Sequence, residues 1–150
     1  MADEGWRRAD AWVFAALVIA SGAGRHRRAP TTRRPEGVRL ADVLATADHL
    51  RRVIPARDDL ELAVRRLLGA GLVSVCDGWF RVTPVGERLW RSRPQLGTAV
   101  DSVYTVLVQR HPPNGSADWT LDEREHALAV REFTARRHPP APRRSPEGGP

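Results

Sequence analysis

The spacing of apolar residues in the middle of the chain predicts a helix over about residues 58–70. Apolar side chains recur there every three to four positions, which places them on one helix face. These positions are Leu60, Val64, Leu67, Leu68 and Leu72. Gly69 and Gly71 are expected to end the helix, because glycine readily leaves the helical conformation.

Two short apolar runs follow and predict a β-hairpin, with strands over residues 72–76 and 79–83. Asp77 and Gly78 separate the runs, and this dipeptide tolerates the positive φ angles of a type I′ turn. Alternation along the strands gives the hairpin an inner and an outer face. The inner face comprises Val73, Val75, Phe80 and Val82, and the outer face comprises Ser74, Cys76, Trp79 and Arg81.

Helices are predicted on both sides of this unit. Thr83 and Pro84 begin the helix after the hairpin, since a threonine hydroxyl caps free N–H groups and proline suits the first helical position. Upstream, the pattern predicts a helix over residues 40–53, which Pro55 ends.

This order of elements resembles the winged helix-turn-helix superfamily of MarR-like and PadR-like transcriptional regulators. The motifs that carry the resemblance are RLADVLATADHL, LxxAVRRLLxAGLV and VTPxGxxL, and they assign no subfamily. The resemblance implies a mainly α fold with a small β-hairpin, whose second motif helix enters the major groove of DNA. Winged helices also serve as protein-docking modules, so the fold alone does not decide the function.

Residues 11–20 are uncharged and predict the first helix of the domain. The run is far shorter than the roughly 18 residues of a membrane span, and nearby acidic residues are unlike an export signal. Apolar side chains lie around the whole helix, so it needs cover on two faces. They are Trp12, Val13, Phe14, Leu17, Val18 and Ile19.

Two additional helices are predicted towards the C-terminus, over residues 94–110 and about 120–137. In the first, an apolar seam suits helix-to-helix contact and comprises Leu96, Val100, Val103 and Leu107. Asp118 or Thr120 is expected to cap the second. We therefore expect a homodimer through the helix from Trp12 to Ile19 and the helix from Leu96 to Leu107.

Charge divides the chain into a nearly neutral body and two basic segments. The formal net charge is +6, of which residues 22–39 carry +5 and residues 136–150 carry +3, leaving about −2 elsewhere. Both basic segments lack apolar periodicity and are expected to be flexible.

The predicted organisation is one winged-helix domain over residues 1–137, with a basic loop (22–38), a helix-turn-helix plus wing (39–91) and additional helices (94–137), followed by a disordered tail (138–150).

Arginines are the candidate DNA contacts, because a guanidinium fork binds guanine O6 and N7 and neutralises phosphates. The candidates are Arg65 and Arg66 on the predicted recognition helix, Trp79 and Arg81 on the wing, and Arg25, Arg27, Arg28, Arg33 and Arg34 in the basic loop. An ion pair between Glu61 and Arg65 is the alternative for the helix, and a solvated linker is the alternative for the loop. Asp58, Asp59 and Glu61 are expected to stabilise the helix start, through the helix dipole and a D-x-x-E capping arrangement, and to repel phosphates.

The sequence contains no recognisable catalytic or metal site. Its five histidines stand apart, and Cys76 is its only cysteine, so no disulfide can form within the chain. No phosphate-binding glycine loop or nucleophile elbow is present. We expect a cytoplasmic protein without a cofactor and without enzymatic activity.

Two functions remain after these exclusions. The first is a small transcriptional regulator that binds double-stranded DNA, and the alternative is a winged-helix protein-interaction module without DNA binding. A continuous positive surface across Arg65, Arg66 and Arg81 favours DNA. A mixed surface centred on Asp59, Glu61 and Trp79 favours a protein partner.

Overall fold

A computed structural model describes residues 5–22, 37–111 and 117–137 of the chain, and within them six helices pack with a three-stranded antiparallel sheet. The first elements are α1 (Arg8–Ser21), β1 (Val38–Arg39), α2 (Leu40–Arg51) and α3 (Arg57–Gly69). The later elements are β2 (Val73–Cys76), β3 (Trp79–Val82), α4 (Pro84–Ser92), α5 (Ala99–Leu107) and α6 (Glu123–Arg137). The predicted mainly helical class with a small β component is confirmed.

Local signals set the hairpin and the helix that follows it. Asp77 and Gly78 have φ angles of 50° and 79°, which is the geometry expected of a type I′ turn. The Thr83 hydroxyl accepts a hydrogen bond from the backbone N–H of Gly86 at 3.1 Å, and Pro84 occupies the first helical position. These predictions are confirmed.

The start of α3 differs from the prediction. Its N-cap is Ala56, and no side chain in the described part of the chain caps it. The predicted D-x-x-E capping arrangement of Asp58 and Glu61 is therefore wrong. Glu61 instead accepts a hydrogen bond from the backbone N–H of the distant Leu121 at 2.8 Å.

The sheet has the order β1-β3-β2, so the short strand β1 extends the predicted hairpin. Val38 pairs with Phe80, and Arg39 pairs with Trp79. Val38 was expected in the basic loop, and the two-residue strand corrects that boundary. Gly22 and Gly37 of the predicted loop are also described, whereas residues 23–36 lie outside the described residues, as does the predicted tail over residues 138–150.

Helix α1 forms the centre of the core. Every residue from 10 to 18 is buried, and α1 packs against α2, α3 and α5 of the same chain. The Trp12 indole N–H also donates to the carbonyl oxygen of Ala47 at 2.9 Å. The expected cover on two faces thus comes from within one chain, so burial of α1 does not require a second subunit.

The two C-terminal helices begin later than predicted. Helix α5 starts at Ala99 because the Thr98 hydroxyl accepts from the backbone N–H of Asp101 at 3.1 Å and so caps it. Leu96 precedes α5 and is 70% exposed, so it is not part of the predicted seam. Val100, Val103 and Leu107 are buried as that seam required.

Helix α6 begins at Glu123, and neither Asp118 nor Thr120 caps it, which corrects the prediction. Asp122 takes that place, because its carboxylate accepts from the backbone N–H of Arg124 at 3.1 Å. Helix α6 packs antiparallel to α2, since its first turn approaches the end of α2 and its last turn approaches the start. Among the described residues, no helix has both the length and the apolar character needed to cross a membrane.

Candidate functional site

The outer sheet face is the side of the sheet that points away from the core. Residues paired across antiparallel strands share a face, so the register settles its membership. It comprises Arg39, Ser74, Cys76, Trp79 and Arg81. The division of β2 and β3 into inner and outer residues agrees with the sequence prediction, and β1 adds Arg39, which sequence reasoning missed.

Trp79 lies on this face with one arginine across the pairing to β1 and another along its own strand. Trp79 is half-buried, while Arg81 is exposed and has no ion-pair partner among the described residues. The Arg39 side chain is 55% exposed, and its Nη1 lies 3.7 Å from the carboxylate of Glu132. An indole flanked by two guanidinium groups can stack on a planar ring or sugar while the arginines bind anions.

Gly37, near the end of the predicted basic loop, lies beside the outer sheet face. Gly37 has a φ angle of 105°, and a Cβ atom there would collide with the carbonyl oxygen of Phe80 and approach the Arg81 side chain. Glycine therefore allows the chain to enter β1 against β3. Ala20 and Ser21 at the end of α1 line the same cavity, of about 320 Å³, as Gly37.

The described residues on the two sides of the segment 23–36 consequently lie at one edge of the sheet. This segment holds five candidate contacts, namely Arg25, Arg27, Arg28, Arg33 and Arg34, all of which lie outside the described residues. In sequence, its five arginines and one glutamate directly precede Gly37, which lies next to Arg81.

Arg65 contacts two groups of its own chain. Its Nη2 lies 3.3 Å from the Glu61 carboxylate, and its Nε donates to the carbonyl oxygen of Trp119 at 2.5 Å. The ion pair between Glu61 and Arg65, which was the alternative for this residue, is confirmed. The role of Arg65 as a DNA contact stays a prediction.

Arg66 contacts Gly5 and Trp6, which precede α1, and Asp10 within α1. Its Nε donates to the Asp10 carboxylate at 2.9 Å, it also donates to the carbonyl oxygen of Gly5, and it lies over the Trp6 ring. The Arg66 side chain is only 12% exposed and Asp10 is 1% exposed. Burial raises the pKa of Asp10, while the Arg7 backbone N–H and the Arg66 guanidinium oppose that shift. The exposure expected for Arg66 was therefore too high.

The surface of α3 is mixed in charge. Asp58 and Asp59 are exposed at its start, whereas Arg65 and Arg66 are partly buried in intramolecular contacts. The Leu121 backbone N–H, helped by neighbouring arginines, lowers the pKa of Glu61, so this carboxylate is ionised near neutral pH. Helix α3 thus lacks the continuous positive surface that a DNA-reading helix needs.

No group of three or more histidine, cysteine, aspartate or glutamate side chains is placed to hold a metal ion within the described ranges. Comparisons of the chain with protein families, curated proteins and solved structures found no match.

Proposed function

We propose that the protein is a winged-helix DNA-binding protein that acts as a small transcriptional regulator. The observation that carries the proposal is the outer sheet face, where Arg39 and Arg81 flank Trp79. The succession of α2, α3, the hairpin and α4 supports the winged-helix assignment, to which β1 adds a third strand.

In this proposal the wing and the predicted basic loop make the principal contacts with double-stranded DNA. Arg39, Arg81 and the five arginines between residues 23 and 36 neutralise phosphates, and Trp79 packs on the backbone sugars. Arg65 and Arg66 keep their intramolecular partners, and the exposed carboxylates of α3 face away from the phosphates.

Salt dependence of binding tests the proposal quantitatively. Seven phosphate contacts give a slope of log affinity against log salt of about −6. Contacts with phosphates and sugars read the sequence only through the shape of the DNA. We expect the full chain to enrich genomic fragments of a favourable shape at physiological salt with competitor DNA present, and to show a slope of this order. Absence of enrichment and of salt-dependent binding in a folded sample would refute the proposal.

Three single variants separate the contributions. Arg81→Ala should weaken binding and reduce the magnitude of the slope by about 1, because one phosphate contact is lost. Trp79→Ala should weaken binding with an unchanged slope, since an uncharged contact releases no counterions. Arg88→Ala is the matched control, because Arg88 is exposed on α4, outside the outer sheet face.

The protein-interaction module remains the second candidate, and the mixed surface of α3 favours it. Exposed Asp58 and Asp59 at the start of α3 suit a basic or polar protein partner better than DNA. A folded chain without DNA enrichment would favour this candidate.

A further inference from the structure

Residues 117–122, which we call the strap, cross the surface of α3 before α6 begins. Three α3 side chains, spaced four residues apart, contact it, and every such contact ends on a main-chain atom of the strap. Arg57 Nη1 donates to the Leu121 carbonyl oxygen at 2.7 Å, and the Glu61 carboxylate accepts from the Leu121 N–H at 2.8 Å. The third bond runs from Arg65 Nε to the Trp119 carbonyl oxygen.

Two strap side chains pack into the fold. The Trp119 ring meets the Phe80 ring edge to face with centroids 5.8 Å apart, and Leu121 is 2% exposed. Thr120, between them, is exposed. The contacts therefore require an aromatic and an aliphatic residue two positions apart, and little else from the sequence of the strap.

Ion pairs hold in place the three α3 side chains that contact the strap. Glu61 lies 2.9 Å from Arg57 and 3.3 Å from Arg65, so the carboxylate is held between two guanidinium groups. Each group thereby presents a donor or acceptor towards the strap without rearrangement. Such a preorganised row binds a peptide backbone at a reduced entropic cost.

We propose that Arg57, Glu61, Arg65 and Phe80 form a peptide-binding seat, and that the strap is its built-in occupant. The partner is an extended segment of another protein with an aromatic-x-aliphatic core, which Trp119 and Leu121 provide in the strap. This partner displaces the strap from α3. The proposal is independent of DNA binding, since none of the four seat residues lies on the outer sheet face.

A free peptide displaces the strap only above a threshold concentration. A segment tethered in the same chain has an effective concentration on the order of mM. A free peptide with the strap sequence must therefore reach a similar concentration to compete with it. Weakening the strap lowers that threshold, so a chain with a disabled strap should bind the same peptide at least ten-fold more tightly.

The test uses a fluorescent peptide with the sequence of residues 117–122 and the full chain. We expect this peptide to bind W119A/L121A at least ten-fold more tightly than the unaltered chain. A control peptide with alanine at both core positions should bind neither chain. Adding Arg65→Ala to the double variant should weaken binding, whereas adding Leu128→Ala, at a residue 53% exposed on α6, should not.

Hydrogen exchange on the unaltered chain gives an independent readout, which decides alone if the double variant does not fold. Peptide at several mM should speed exchange of the Leu121 N–H, because its acceptor Glu61 then binds the peptide. The control peptide should leave that exchange rate unchanged. Unchanged exchange, or a folded double variant that does not bind the peptide, would overturn the proposal.

Discussion

Replacing Arg66 by alanine should destabilise the fold far more than replacing its neighbour Arg65. Arg66→Ala leaves the Asp10 carboxylate, which is 1% exposed, without the guanidinium 2.9 Å away. Removal of one partner from a buried ion pair costs about 3–5 kcal/mol. Arg65 is 30% exposed and lies 3.3 Å from Glu61, so Arg65→Ala should cost about 1 kcal/mol.

Urea unfolding followed by circular dichroism measures both values. For a chain of this length, 1 kcal/mol corresponds to a change in Tm of about 2–4 °C, so Arg66→Ala should lower Tm by roughly 6–20 °C. In a double-mutant cycle, Asp10→Asn combined with Arg66→Ala should cost less than the sum of the single changes. Equal costs for the two arginine variants, or an Arg66→Ala cost below about 0.5 kcal/mol, would refute the reasoning.

The same comparison guides the DNA measurements. A loss of DNA binding by Arg66→Ala would not distinguish a lost DNA contact from an unfolded chain. Arg65→Ala keeps the fold and, because Arg65 retains its intramolecular partners in the proposal, should bind DNA as the unaltered chain does.

Four further outcomes are expected. The Leu121 N–H lowers the pKa of Glu61 from its ordinary value of 4.5. The hydrogen bond between them therefore stabilises the strap above that pH, and the stabilisation is lost as pH falls through the lowered pKa. Hydrogen exchange should show this loss, and Glu61→Gln should remove the pH dependence. Gly86→Ala should destabilise the fold by about 1–3 kcal/mol in urea despite alanine's better helix propensity, since its Cβ would collide with the Leu72 carbonyl oxygen. Thr83→Ala should cost about 1 kcal/mol through the lost cap, and Thr83→Ser should restore most of it in a thermal melt. The homodimer stays a prediction, and light scattering that gives the mass of one 16.7 kDa chain would remove it.

Sequence reasoning succeeded where the determining signal is local. The type I′ turn requires only two residues that tolerate positive φ, and Asp77-Gly78 supplies them. The Thr83 cap needs a hydroxyl three residues before the N–H it binds, which is also visible in sequence. The Glu61 and Arg65 ion pair follows from helical spacing alone.

The remaining features depend on contacts between distant residues. Arg66 reaches Asp10 across 56 positions, and Glu61 reaches Leu121 across 60, so no local pattern distinguishes either from an exposed charge. Strand β1 has only two residues, too few for an alternating pattern to be recognised in the sequence, so Arg39 could not be placed on the outer sheet face beforehand. The start of α5 had a usable signal, since Thr98 precedes Asp101 by three residues as a cap does.

The central position of α1 has a consequence for how the chain folds during synthesis. This helix is synthesised before α5, one of the helices that bury it, which is complete only at Leu107, 86 residues after Ser21. At about 5–20 residues per second, roughly 4–17 s separate the two events on the ribosome. Throughout that interval a nearly all-apolar helix lacks its final neighbours, so the nascent chain presents a surface that chaperones bind and that aggregates when they are scarce.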